Sequence, residues 1–225
     1  MTTREQRIAK FNANRPVYQA VPKAESLART AKDRKLCASL EDAIKRSGLK
    51  DGMTVSFHHA FRAGDFIVNM VMDKIAEMGF KNLTLASSSL IDSHHPIINH
   101  IKNGVVTKIY SSGLRGELAE QISRGLLDEP VNIHSHGGRV HLVKSGELKI
   151  DVAFLGVPFC DKFGNANGFS GKSKCGSLGY ARVDAEYADK VVLLTEEFAD
   201  YPHHPISIGQ DQVDLIVQVD AVGAL

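Results

Sequence analysis

Short apolar runs that fail to alternate with polar residues, each set between helical patterns, constrain this chain most. Val191-Val192-Leu193-Leu194 and Leu215-Ile216-Val217 are continuous where a strand with one wet face would alternate. Continuous runs mark strands covered on both faces, as in parallel sheets whose crossovers are helices. The pattern recurs along the chain. Strands are expected at 53–57, 83–86, 105–110, 131–134, 152–156, 191–195 and 213–219, with helices at 65–78, 96–102, 115–123 and 140–148. Gly48, Gly79, Gly104 and Gly125 stand where helix stops belong. A first amphipathic helix is read over 26–46, with Leu36, Leu40 and Ile44 spaced by four. Right-handed parallel crossovers follow from this order. The expected fold class is α/β, a mostly parallel sheet flanked by helices. Residues 1–25, with Pro16 and Pro22 and no periodicity, are expected to form an extended arm, and 26–225 one α/β domain.

At 225 residues and 43% hydrophobic content, such a domain can fill its core. The opening segment is polar where a secretory signal would be apolar, and no stretch nears the roughly 18 apolar residues that cross a bilayer, so a cytoplasmic protein without membrane contact is expected. Cys37, Cys160 and Cys175 are odd in number and widely spaced, which fits reduced thiols. Charge is unevenly spread. The first 50 residues carry twelve Lys or Arg against five Asp or Glu, so the remainder is net negative. That basic end suits an acidic carrier or subunit, or plain solvation. Nucleic acid is disfavoured, because no aromatic residues interleave the basic ones and Trp is absent.

In a parallel sheet, ligands gather beyond the carboxyl ends of the strands, where helix amino termini present unpaired amides. Four successive strand-to-helix loops are polar there: Ser56 to Asp65, Ser87 to Ser89, Ser111 to Gly116, and Ser135 to Arg139. Any one of them alone reads better as a turn and helix cap than as a site. Their coincidence on one edge is what suggests a site for a carboxylate-bearing anion, since Arg donates in a fork and glycines let amides approach. The histidines at 94, 95, 100, 134 and 136 lack metal-ligand spacing, and no metal is expected. Gly164 to Ser173 imitates a phosphate loop but has Ala166 where the motif requires glycine.

The runs SFHHAFRAGD, SSGLRGELAEQIS, SHGGR, IDVAFLGVPFCDKFGNANG and SGKSKCGSLGYARVDAEYADKVV resemble the citrate lyase alpha-chain family, in the same order, from about residue 40 onward. The Asp161-x-x-Gly164-Asn165 element also resembles the wider coenzyme A transferase superfamily. The resemblance implies a NagB/RpiA/CoA transferase-like fold, with two such domains in a whole alpha chain, the second absent from these 225 residues. It implies a citrate CoA-transferase activity within citrate cleavage to oxaloacetate and acetate, in which citrate displaces acetate from an acetyl thioester through a mixed anhydride. The carrier, coenzyme A or an acyl carrier protein (ACP), is then a pantetheine-type substrate, and no cofactor is bound by the chain itself. Expected partners are citrate, the acyl carrier subunit and the citryl-lyase beta subunit, in an oligomer. Under this reading the catalytic candidates are His58, His59, Gly137 and Gly138. The substrate-binding candidates are Arg62, Ser88, Ser112, Gly113, Arg115, Ser135, His136, Arg139, Asn165 and Asn167. Members of the family read SFHHHF where this chain has His58-His59-Ala60-Phe61, so one polar position is lost. Two alternatives stand beside this reading: a non-catalytic half that binds citrate or neighbouring subunits, and a sugar-phosphate isomerase or sensor of the same fold, which would want an acidic pair in the crevice.

Overall fold

The computed structural model describes residues 32–58, 60–61 and 64–224. The expected arm, together with His59 and Arg62, lies outside the described residues. The chain runs α1 (Lys32–Lys35), β1 (Leu36–Cys37), α2 (Leu40–Ser47), β2 (Thr54–Phe57), α3 (Ile67–Glu77), β3 (Leu83–Ser87), α4 (Ile97–Lys102), β4 (Val106–Ser111), α5 (Gly116–Ser123), β5 (Asn132–Ile133), α6 (His136–Ser145), β6 (Val152–Asp161), β7 (Ala166–Asn167), α7 (Ala181–Tyr187), β8 (Lys190–Ala199) and β9 (Leu215–Gln218). One sheet holds these strands in the order β1-β9-β8-β6-β2-β3-β4-β5, with β7 beside β6. Its pairings are parallel except that of β6 with β7.

The continuous apolar runs are explained by two helical layers. Along β6, Val152 and Phe154 join the core under α2 to α5, while Ala153, Leu155 and Val157 join the core under α6 and α7. Along β8, Val192 and Leu194 face the first layer and Val191 and Leu193 the second. Each face of a strand reads period two, but both faces are apolar, so the alternation vanishes from the sequence.

Three elements differ from expectation. The single helix read over 26–46 is broken within the described residues, because Leu36 and Cys37 pair with Ile216 and Val217 of β9. Ser39 then caps α2 by accepting the Asp42 amide, and Gly48 ends that helix at φ 74°. The helix read as 140–148 begins at His136, since Ser135 caps it. The helix α7 had no sequence signal.

From β2 the chain steps outward through β3, β4 and β5, then returns to the other side of β2 with β6 and continues to β8 and β9. The direction reverses between β2 and β6. In open α/β sheets ligands bind beyond the carboxyl ends of the strands at such a reversal; here β2 ends at Phe57, beside Phe154, while β6 runs on to Asp161.

Candidate functional site

Hydrogen bonds between the polar loops carry the parallel ladder past the strand ends. The Ser88 amide donates to Phe57 O at 3.3 Å, the Ser112 amide to Ser88 O at 3.3 Å, and the His134 amide to Ser111 O at 3.1 Å. Four loops therefore lie side by side, as their sequence suggested.

At the reversal point, three elements each contribute two residues at their natural spacing. Ser56 and His58 are two apart at the end of β2, His136 and Arg139 three apart on the first turn of α6, and Tyr180 and Asp184 four apart at the start of α7. Such spacings put each pair on one face of its element. The pairs form two layers. In the lower one, Arg139 Nη2 donates to Asp184 Oδ2 at 2.7 Å and to Ser56 Oγ at 2.7 Å, and Ser56 Oγ donates to the same Asp184 oxygen at 2.5 Å. Burial pushes the Asp184 carboxyl above its ordinary value, opposed by the Arg139 charge and the Ser56 hydroxyl. In the upper layer the Tyr180 ring lies 5.1 Å from the His136 ring and 6.3 Å, edge-on, from the His58 ring. The lower layer is closed to solvent and the upper is open: Ser56, Arg139 and Asp184 are buried, His58 and Tyr180 half-buried, His136 exposed.

The amino terminus of α6 lies at this reversal point, where His136 meets Tyr180. Ser135 Oγ accepts the Gly138 amide at 2.9 Å. The amides of His136 and Gly137, in the same first turn, have no intrahelical acceptor by helix geometry and carry the positive end of the helix dipole. Arg139 lies below in its pair with Asp184, since helix side chains lean toward the amino terminus. Its Nε and Nη1 are buried without a partner among the described residues.

The sequence candidates therefore divide. His58, Ser135, His136, Gly137, Gly138 and Arg139 meet at the reversal point, but Gly138 spends its amide on the cap and Arg139 spends its charge on Asp184. Ser112 Oγ lies 3.5 Å from His134 Nδ1 in the adjoining loops. There burial lowers the pKa of His134, aided by the Arg139 charge. Ser88 is buried beneath. Gly113 is tied into the loop, its carbonyl accepting the Leu90 amide at 3.0 Å and its amide donating to Ser111 Oγ at 3.3 Å. Arg115 is exposed where it caps α5.

Asn165 and Asn167 are buried and engaged by protein. Asn165 donates to Asp161 Oδ2 at 2.8 Å and accepts the Gln210 amide at 3.0 Å. Asn167 donates to Pro205 O at 2.8 Å and accepts the Phe169 amide at 2.9 Å. Asp161 itself accepts the amides of Phe163, Gly164, Asn165 and His203, so the Asp-x-x-Gly-Asn element holds a turn. Among the described residues no group of three or more His, Cys, Asp or Glu could hold a metal, and no helix is long and apolar enough to cross a membrane. Tyr180 and Asp184 had not been singled out in the sequence.

The family model described as "Citrate lyase, alpha subunit (CitF)" matches residues 33–225. The chain belongs to the citrate lyase alpha-subunit family. It is 90% identical over 223 residues to the citrate lyase alpha chain of Haemophilus influenzae, covering 99% of this chain and 45% of that one. To the Escherichia coli citrate lyase alpha chain it is 69% identical over 224 residues, covering 98% and 44%. The chain thus spans less than half the length of these relatives. Among solved structures, an alpha subunit of citrate lyase from Streptococcus mutans in complex with citrate superposes with a TM-score of 0.84 at 52% identity, over 93% of this chain and 39% of that one. The glutaconate coenzyme A-transferase of Acidaminococcus fermentans, 14% identical over 82% of this chain and 75% of that one, shares the fold with a TM-score of 0.60. The fold is that of the coenzyme A transferases, as the residue runs implied.

Proposed function

We propose that this chain binds citrate at the reversal point between β2 and β6 and presents one of its carboxylates for exchange with an acetyl thioester, giving citryl carrier and acetate. The observation that carries this reading is the open upper layer of His58, His136 and Tyr180 at the amino terminus of α6, above a buried Arg139. It combines hydrogen-bond donors with positive potential, and a citrate-bound relative 52% identical has the same fold.

The chemistry needs no external redox partner or energy source. A citrate carboxylate oxygen bonds to the acetyl carbonyl carbon, the carbon–sulfur bond breaks, and the carrier leaves as thiolate. A mixed anhydride remains. The thiolate then bonds to the citryl carbonyl carbon, the anhydride carbon–oxygen bond breaks, and acetate leaves. The amides of His136 and Gly137 orient the attacking carboxylate, His58 donates to it, and the exposed guanidinium of Arg115, with Arg62, serves the remaining carboxylates. Arg139, paired with Asp184, holds α6 and α7 together beneath the site without touching substrate. The thioester belongs to coenzyme A or to an acyl carrier subunit, with cleavage of the citryl product left to a beta subunit.

Because the chain spans less than half of its relatives' length, a second reading holds that it binds citrate and needs the remaining alpha-chain sequence for exchange. Acetate release from acetyl coenzyme A and citrate, measured with this chain alone and then with the rest of the alpha chain added, separates the two. Exchange by the chain alone means that these loops form a complete site. Exchange only in the mixture makes this the citrate-binding half, and none in either overturns the transferase reading.

A further inference from the structure

Tyr180 is held at the reversal point by structure unrelated to its own hydroxyl. Leu178 and Ala181, on either side, are fully buried, and Asp184, one turn on, is locked to Arg139. The ring therefore cannot leave without unpacking the start of α7. It is pressed between two histidine rings contributed by β2 and α6. Yet its hydroxyl has no hydrogen-bond partner among the described residues, and it is not among the buried unpartnered atoms. A phenol fixed by packing on both flanks, its hydroxyl not enclosed and its ring against His136 of the first turn of α6, is placed to meet a ligand. The surrounding potential selects an anion: the α6 amino terminus, with the His136 and Gly137 amides outside the helix's own hydrogen bonding, favours an oxygen bearing negative charge.

We infer that the Tyr180 hydroxyl donates a hydrogen bond to a carboxylate of the bound substrate, making Tyr180 a binding residue of the site. This rests on the citrate-binding reading above. The three rings form one wall of the carboxylate subsite, with the His136 and Gly137 amides as its floor. A hydroxyl-to-carboxylate bond of this kind corresponds to about a tenfold change in affinity.

The test is titration calorimetry on the full chain with citrate and with tricarballylate, which has the three carboxylates and no alcohol. Tyr180→Phe keeps the ring, and Tyr187→Phe, on the same helix beside Lys144, is the control. We expect Tyr180→Phe to weaken both ligands by about tenfold with an unchanged melting temperature, and Tyr187→Phe to match the wild type. Unchanged binding of both ligands by Tyr180→Phe overturns the inference while leaving the citrate reading standing. Weakened citrate with unchanged tricarballylate places the contact on the alcohol and overturns the carboxylate assignment. If the wild type binds neither ligand, the citrate reading itself fails and takes this inference with it.

Discussion

Arg139 and Asp184 form an ion pair at 2.7 Å with both side chains 1% exposed, and the pair ties the first turn of α6 to the first turn of α7. Removing a charge from water is costly, so the value of this pair depends on both members being present. Arg139→Met or Asp184→Leu alone should destabilise the fold by about 3–5 kcal/mol in urea unfolding, because each leaves its partner's polar group stranded. The double variant Arg139→Met/Asp184→Leu should recover most of that loss. Additive losses in the cycle would show that the two residues do not act as a unit.

Ser135 separates cap from anion site. Its hydroxyl accepts the Gly138 amide while the side chain is exposed. Ser135→Ala should cost about 1 kcal/mol from the lost cap. Ser135→Asp keeps an acceptor at the cap and favours the helix dipole, so stability should hold within about 0.5 kcal/mol. The added carboxylate competes with substrate for the same positive terminus, and citrate affinity should fall by at least about tenfold. Calorimetry and urea unfolding on the same two variants check this. Undiminished citrate binding by Ser135→Asp would place the anion elsewhere.

How much could be read from the sequence depended on whether a residue's partners are local. Gly48 was visible as a helix stop because its geometry is decided within a few residues. The four loops were visible because strand, turn and helix follow one another in the chain. Leu36 was misread, since its spacing to Leu40 and Ile44 imitates a helix face, and only pairing with Ile216, far along the chain, makes it strand. Nothing in the sequence set Asp184 apart from its acidic neighbours Glu186 and Asp189, and its burial follows from Arg139 and Ser56 on other elements. Arg139 was legible as a cation near the site, but not as one already paired. The helix α7 went unread because its buried positions, Ala181, Asp184 and Ala185, include no large apolar side chain to mark a period.

Gly156 connects the sheet core to the first loop. A Cβ built there would lie 2.6 Å from Ile67 Cγ1 and 2.9 Å from Phe61 Cε2, so β6 passes Ile67 of α3 and Phe61 too closely for any side chain. Gly156→Ala should cost about 1–3 kcal/mol by overpacking. The relief open to it is displacement of Phe61, three residues from His58, and citrate binding should weaken along with stability. A variant that loses stability with citrate affinity intact would show that Ile67 alone yields.

Asp65 closes the same loop, accepting the amides of Ile67 and Val68 at the start of α3. Burial raises its pKa from 3.8 to about 7, against the opposing pull of those amides. Between those two values the folded protein retains a proton that the unfolded chain has released. The contribution of Asp65 to stability is therefore fully present below the unfolded value and declines as pH rises through the folded one, after which it is flat. Asp65→Asn cannot ionise and keeps an oxygen for both amides. It should be more stable than the wild type at about pH 8, with the difference shrinking toward zero near about pH 4. Urea unfolding of both proteins across that range reads the difference directly and cancels the groups they share. A wild type that gains stability relative to Asp65→Asn as pH rises would show that the carboxylate, and not the neutral acid, is the form this loop holds.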